Sequence, residues 1–213
     1  LVTGRVLYKP EQRVRFFSRA SGEARQEHPS YPTCNAWYRR EVFLKLGGFD
    51  TALCFRDFRD RPVECADTDL AWRVKEAGHL NVFVPEMVVY HEVEELPPLS
   101  WAAEPFRLFV VPALVRRHPQ LRRALLKWRL FFFPQNVLFY LGVAGVGLGV
   151  LWHWAFVVLA APFAGWAARA GNPNLAWWNL PRMAARSVLV GARQACLCAG
   201  LVYGSIRFRS PVL

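Results

Sequence analysis

The chain has 213 residues, with 27 Lys+Arg against 16 Asp+Glu for a formal net charge of +11, and 54% of it is hydrophobic. Residues 1–100 carry 14 basic and 15 acidic side chains, whereas residues 101–213 carry 13 basic and one acidic, Glu104. A disordered polybasic tail would be poor in apolar residues, and a nucleic-acid binder would set its cations on a soluble face rather than among apolar runs; both classes are set aside, and no nucleic-acid partner is expected.

Residues 2–8 read as a strand. Residues 9–33, polar and broken by Pro10, Gly22, Pro29 and Pro32, read as a long loop. Residues 34–38 are a short strand candidate. Residues 39–46 form a short helix with Val42, Phe43 and Leu46 on one face, stopped by Gly47-Gly48. Residues 51–66, with alternating Arg and Asp between Arg56 and Arg61, read as irregular. Residues 67–77 read as a helix closed by Gly78, with Asp69 and Arg73 as an i,i+4 pair. Residues 81–84 and 87–90 are strand candidates flanking Pro85, followed by His91 and the acidic Glu92, Glu94 and Glu95. Short strands alternating with helices predict an α/β domain over residues 1–98.

After Pro97-Pro98 the character changes, and residues 99–213 read as an interfacial and transmembrane helical region. Residues 101–115 are apolar. Residues 116–129 read as a basic amphipathic helix suited to a membrane surface, with packing on a protein core as the alternative. Residues 131–168 contain no charged side chain. That length predicts a hairpin of two helices, over about 136–151 and 154–168, turning at Trp152-His153-Trp154. Arginines outside both ends place those ends in the cytoplasm under the positive-inside rule. The glycines at 142, 145, 147 and 149 would permit close helix packing. Residues 187–206 are apolar apart from Arg193 and either span, with Arg193 snorkelling or buried, or lie in the interface, the reading slightly favoured. The chain is therefore expected at the inner (cytoplasmic) membrane, in contact with its lipids. Five scattered cysteines form no disulfide or zinc pattern and read as free thiols in a reducing compartment.

Two groups could carry chemistry. Asp67-Thr68-Asp69 opens the 67–77 helix, where a carboxylate is favoured by the free backbone N–H groups and the helix dipole. Asp67 is either an N-cap or a carboxylate fixed at a cleft edge, able to take a proton from an acceptor hydroxyl. His91 leaves the end of a strand, a position open to a structural or a ligand role.

The order of these pieces is more specific than any one of them. The runs Asn35-Ala36-Trp37-Tyr38-Arg39-Arg40-Glu41, Gly47-Gly48-Phe49-Asp50, Asp67-Thr68-Asp69-Leu70-Ala71-Trp72-Arg73 and Val88-Val89-Tyr90-His91 resemble the second half of membrane-attached family 2 glycosyltransferases of the Rossmann-like GT-A fold. The resemblance covers about residues 1–95, and the closing residues 201–213 resemble the tail of bacterial members. It implies that Asp67 is the general base of an inverting sugar transfer, from a nucleotide-sugar donor to a lipid-linked or cell-envelope glycan acceptor. It places Asn35, Gly48, Phe49, Asp50, Asp69 and Arg73 around the acceptor and makes His91 a metal ligand. A divalent metal, Mg2+ or Mn2+, would have its main ligands upstream of Leu1, because the family's metal-binding Asp-x-Asp is not in this sequence. The Glu that usually precedes the base is replaced by Ala66. The chain then reads as the acceptor side and anchor of a longer enzyme of the hexosyltransferase class, inactive as an isolated piece. The alternative is a non-catalytic, membrane-anchored binding or scaffold module.

Overall fold

The computed structural model describes residues 1–19, 22–173 and 179–213. The first hundred residues form β1 (Val2–Tyr8), β2 (Ser18–Arg19), β3 (Ala36–Trp37), α1 (Arg40–Lys45), β4 (Cys54–Arg56), β5 (Pro62–Glu64), α2 (Ala66–Glu76), β6 (Val82–His91) and β7 (Glu94–Glu95). The remainder is helical: α3 (Pro98–Ala103), α4 (Val111–Arg117), α5 (Leu121–Leu125), α6 (Pro134–Leu151), α7 (Ala161–Gly171) and α8 (Leu180–Phe208), with 3-10 segments at Glu104–Val110 and Trp154–Ala160. The chain is thus mixed α/β, with small sheets rather than one large one.

β1 is the central strand of the main sheet, antiparallel to β3 and parallel to β6. The parallel register runs Gly4 to Val84 and then jumps from Arg5 to Val88, so residues 85–87 bulge out at Pro85. The two strand candidates around that proline are therefore one interrupted strand. Gly4 is required beside the bulge, because a Cβ there would lie 2.6 Å from the Asn35 side-chain nitrogen and closer still to the Met87 carbonyl. Residues 9–33, apart from Ala20 and Ser21, which lie outside the described residues, form the expected long loop, but Ser18–Arg19 pairs with Glu94–Glu95.

Residues 51–66 are more ordered than their composition suggested. β4 and β5 pair as a hairpin whose tip is the Arg/Asp alternation. The Asp57 carboxylate organises that tip, accepting from the backbone N–H groups of Arg59 (2.8 Å) and Arg61 (3.0 Å) and from Arg61 Nε (2.8 Å).

The amphipathic helix expected over residues 116–129 is not present. α4 ends at Arg117, His118 takes an extended ψ, and α5 is a short separate helix. Trp128 and Arg129 lie at positive φ. Pro119 explains the break, since a residue preceding proline is pushed out of the helical region. Of the apolar side chains of this stretch, Leu121 and Leu126 are buried in the protein, Leu125 is partly buried and Trp128 is exposed. One apolar cluster contains Tyr31, Val63 and Trp72 together with Phe109, Leu121 and Leu201. The break in composition at residue 98 is therefore not a break in packing.

The apolar hairpin forms close to its expected bounds. α6 runs through Leu151, and Trp154–Gly171 returns as a 3-10 segment followed by α7. His153 caps the return, its Nδ1 accepting from Ala155 N at 3.2 Å. Gly142, Gly145 and Gly149 face the returning segment; a Cβ on Gly145 would stand 2.6 Å from Leu159 Cβ, and one on Gly149 2.6 Å from Val157 Cγ2. Gly147 faces open space and takes no part. α6, Trp154–Gly171 and α8 are each long and apolar enough to cross a membrane. At 1.5 Å per residue, α6 is about 27 Å long, close to a hydrocarbon core of roughly 30 Å.

α8 joins the two halves. Gly200 and Gly204 lie against the backbone of Phe106 and Phe109, so the helix sits on the Glu104–Val110 segment with no side chain between them. A Cβ at Gly200 would stand 2.5 Å from the Phe106 carbonyl oxygen, and one at Gly204 would overlap that of Phe109. On an open helix face Gly→Ala gains about 1 kcal/mol. Gly191→Ala, where a Cβ meets nothing, is expected to show such a gain, whereas Gly204→Ala is expected to cost about 1–3 kcal/mol through overpacking. Thermal unfolding of both variants in the same uncharged detergent checks the opposite signs; equal shifts would remove the close α8 contact.

Candidate active site

α2 begins directly after the β4–β5 hairpin, and its first turn carries Asp67 and Asp69. Those two carboxylates, one residue apart, have opposite environments. Asp67 is half-buried, and its Oδ1 accepts from Thr68 N at 2.7 Å and, more weakly, from Thr68 Oγ1 at 3.4 Å. Burial, assisted by the charge of Glu64, raises its pKa above the ordinary carboxylate value despite those bonds. Asp69 is fully buried. Its Oδ2 accepts from Arg73 Nε at 2.7 Å, and its Oδ1 accepts from His118 Nε2 at 2.9 Å and forms an ion pair with Arg117, whose Nε lies 2.7 Å away. Burial by itself would raise the Asp69 pKa, but the bond from His118 and the two guanidiniums outweigh it and hold the value low.

The partners of Asp69 extend the network. Arg73 donates to the carbonyl of Leu46 and, at 2.6 Å, to that of Gly48. Arg117 donates to Asp50 Oδ2 at 2.6 Å, while Asp50 Oδ1 caps Ala52 N at 2.9 Å. His118 places its second ring nitrogen, Nδ1, 2.8 Å from Glu76 Oε1. An imidazole flanked by two carboxylates can satisfy both only as the imidazolium, which donates from both nitrogens. Burial opposes that charged form, yet the two carboxylates prevail and His118 is raised above its ordinary value. Three carboxylates (Asp50, Asp69, Glu76) thus meet three cations (Arg73, Arg117, His118), and the group is neutral as a whole.

The sequence-derived site residues divide on this network. Gly48, Asp50, Asp69 and Arg73 form a frame that pins the 47–50 turn from beneath, with Gly47 and Gly48 at φ of 79° and 64°. Phe49 is presented outward on that frame, its ring edge-on to Phe43 at 5.5 Å. Asn35 is buried and donates to the carbonyls of Arg5 (2.9 Å) and Met87 (3.0 Å), closing the β1–β6 bulge. It therefore braces the sheet edge.

The long loop is stitched to α2 by side chains spaced along that helix. Thr68 Oγ1 donates to the Ser30 carbonyl at 2.7 Å, Trp72 Nε1 to the Pro29 carbonyl at 2.9 Å, and Lys75 Nζ to Tyr31 Oη at 2.6 Å. These contacts fix His28 and Ser30 in the wall of a cavity of about 150 Å³ that also contains Cys34 and His91. Burial, and then the charge of Asp67, raises the Cys34 thiol. Tyr38 is held in the same field: burial and then Asp67 push its phenol up to about 12, and its buried hydroxyl has no hydrogen-bond partner among the described residues.

His91 ends β6 with its Nδ1 2.8 Å from the Glu92 carbonyl oxygen, leaving Nε2 outward. Among the described residues no three His, Cys, Asp or Glu side chains are grouped to hold a metal. One imidazole nitrogen does not make a metal centre, so no metal-dependent step is derived from these residues. All five cysteines are free.

Arg117, His118 and Tyr38 were not singled out from sequence. Arg117 and His118 sat in a basic run read as a membrane-facing helix; the available signal was the His-Pro pair that interrupts it. Comparison with protein-family models, with curated proteins and with solved structures returns no match to this chain.

The His118 charge makes stability depend on pH. A raised folded pKa stabilises fully below the ordinary imidazole value of about 6.5 and loses that contribution as pH rises through the folded value. Asp69 acts in the opposite sense, losing its contribution as pH falls below about 4. The thermal midpoint is expected to fall on the alkaline side of neutrality, and His118→Gln to flatten that limb while lowering the whole curve. An alkaline limb unchanged in His118→Gln would assign it to another group.

Proposed function

We propose that this chain is the acceptor-side and membrane-anchoring part of an inverting, family 2-type glycosyltransferase. In this reading Asp67 takes the proton of an acceptor hydroxyl as its oxygen attacks the anomeric carbon of a nucleotide-sugar. The bond to the leaving nucleoside diphosphate breaks on the opposite face, and configuration inverts. The observation that carries the reading is the contrast within one helical turn. Asp67 is half-buried, has an elevated proton affinity and makes no salt bridge among the described residues, whereas Asp69 is locked in a neutral network beneath it. A general base must keep an unpaired carboxylate at a fixed position and a proton affinity above that of a free carboxylate. The frame supplies the fixed position and burial the proton affinity.

The motif order described above supports the same reading, as does the joining of the site to helices able to enter a membrane. A lipid-linked acceptor would bring its sugar or phosphate oxygen to the surface in which those helices lie. When bound, a divalent metal would neutralise the diphosphate of the departing nucleotide; His91 could contribute one nitrogen, with the other ligands in residues preceding Leu1. The GT-A fold, the donor site and the cytoplasmic orientation belong to this proposal.

The test uses the full-length enzyme, radiolabelled nucleotide-sugars and a membrane-extract acceptor. Asp67→Asn is expected to lower turnover by at least about a thousandfold with an unchanged thermal midpoint, since it removes the base and no structural ion pair. Asp69→Asn is expected to lose about 3–5 kcal/mol of stability, since it leaves buried cations without their carboxylate. Near-normal turnover in Asp67→Asn would overturn the base assignment. Binding of an acceptor lipid with no transfer from any nucleotide-sugar would favour a membrane-anchored binding module.

A further inference from the structure

A cavity of about 1040 Å³ lies where the α/β part meets the three apolar helices. Its lining mixes apolar and cationic side chains. The apolar part is built from Phe133 at the start of α6, Trp166 of α7, and Val190 and Leu197 of α8. Each of these belongs to, or directly precedes, a helix long and apolar enough to cross a membrane. The same lining carries Arg15, Arg107, Arg186 and Arg193 and one carboxylate, Glu104; Arg186 and Arg193 share a face of α8 with Val190 and Leu197, spaced three and four residues apart. Arg15 is paired with Glu95 at 3.8 Å, so the other three arginines against Glu104 leave a surplus of two positive charges.

Glu104 does not saturate these arginines. It is shared among Arg107 at 3.5 Å, Arg193 at 3.6 Å and Arg19 at 3.4 Å, all longer than the 2.7–2.9 Å of a charge-assisted hydrogen bond. Arg186 has no carboxylate partner among the described residues; its guanidinium lies over the Phe16 ring, 4.7 Å from the centroid. The first turn of α6 also enters the wall through Phe133 and Gln135, with no side-chain cap and no acidic residue, so the positive end of an 18-residue helix adds to the field. Behind the lining residue Gln194, which donates to Asn136 Oδ1 at 2.8 Å, the Asn136 Nδ2 atom has no partner among the described residues.

We propose that this cavity binds a phosphate headgroup carrying a long apolar chain: the phosphate among Arg186, Arg193 and Arg107, the chain along the α6–α7–α8 wall. A free nucleotide fits poorly, because the lining around the arginines is mainly aromatic and aliphatic surface rather than partners for a base and ribose. The cations line a half-open pocket between the α/β part and the apolar helices, so the occupant is a single lipid seated with its headgroup among them. His28 and Ser30 form part of the wall of both this cavity and the smaller one containing His91 and Cys34, and the Ser30 carbonyl holds the Thr68 hydroxyl beside Asp67. A phosphate seated here would therefore lie on the Asp67 side of the molecule. That this lipid carries the acceptor rests on the transferase reading; its binding does not.

The test is equilibrium binding to the full chain in uncharged detergent, followed by calorimetry and by the fluorescence of its tryptophans. Farnesyl phosphate is expected to bind saturably at one site per chain, and farnesol or inorganic phosphate at least about tenfold more weakly. Arg186→Gln, which breaks no ion pair, is expected to weaken farnesyl phosphate about tenfold, the loss of one charge-assisted contact. Arg182→Gln, an exposed arginine on the same helix outside the cavity, is the matched control and is expected to leave binding within about twofold. Equal losses in the two variants would show non-specific attraction and overturn the site. Inorganic phosphate or a nucleoside diphosphate binding as tightly as farnesyl phosphate would overturn the lipid assignment, and farnesol binding as tightly would overturn the role of the arginines. Asp67→Asn separates the two readings: it is expected to retain farnesyl phosphate binding. Sugar transfer in a wild-type enzyme that does not bind the probe at this site would defeat the present inference alone, and binding without transfer would defeat the transferase reading alone.

Discussion

The Asp69 carboxylate is the point on which the rest of the structure depends. A buried carboxylate is tolerated only when its charge is met at close range, and Asp69 is met by Arg73, Arg117 and His118. Those three come from two elements far apart in sequence, α2 and the end of α4. Meeting the charge of one side chain therefore fixes the α/β part against the helical part. The secondary partners Gly48, Asp50 and Glu76 carry the constraint outward to the 47–50 turn and along α2. Each ion also satisfies another, so the group costs little net charge burial and yet leaves little freedom of arrangement.

The functional consequence lies in what the frame leaves free. Asp67 precedes Asp69 by two residues on the same helix but stands outside the network, bonded only to the adjacent Thr68. A carboxylate that is rigid but unpaired is what proton abstraction requires. A carboxylate that is fully paired is what a frame requires. The Asp-x-Asp spelling thus divides two duties, and the position of each oxygen relative to Arg73, Arg117 and His118 separates them. The arginine-lined cavity follows a related logic: Glu104 is spread over three guanidiniums, and the remaining positive charge is held beside an apolar wall.

Much of this was legible in the sequence wherever the pattern was local. The bounds of α2, its Asp69–Arg73 pair, the Gly47-Gly48 and Gly78 stops and the apolar hairpin all follow from spacing or from a run without charge. Three of the four glycines on α6 serve the close packing that their spacing suggested. The β4–β5 hairpin and the break at Pro119 were local signals not used; the misses at His118 and Asn35 are non-local. His118 lies 49 residues from Asp69, and no periodicity within residues 116–129 shows that a distant buried carboxylate draws it inward. Together with the break at Pro119, that attraction replaces the expected lipid-facing helix by a bent segment that buries His118, Leu121 and Leu126. Asn35 is similar: its amide bridges two strands, one of them 52 residues away, and only the bulge at Pro85 shows why it is needed. The α/β class could be read from sequence; which side chains touch the reacting groups and which hold them could not.

The most direct measurement is the nitrogen NMR spectrum of the His118 ring in the folded chain at neutral pH, assigned by its loss in His118→Gln. Both ring nitrogens are expected to be protonated, the state in which the imidazole donates to Asp69 and Glu76 together. A neutral ring with one bare nitrogen would contradict the account, because the buried carboxylate that positions α2 would then lack one of its three cations.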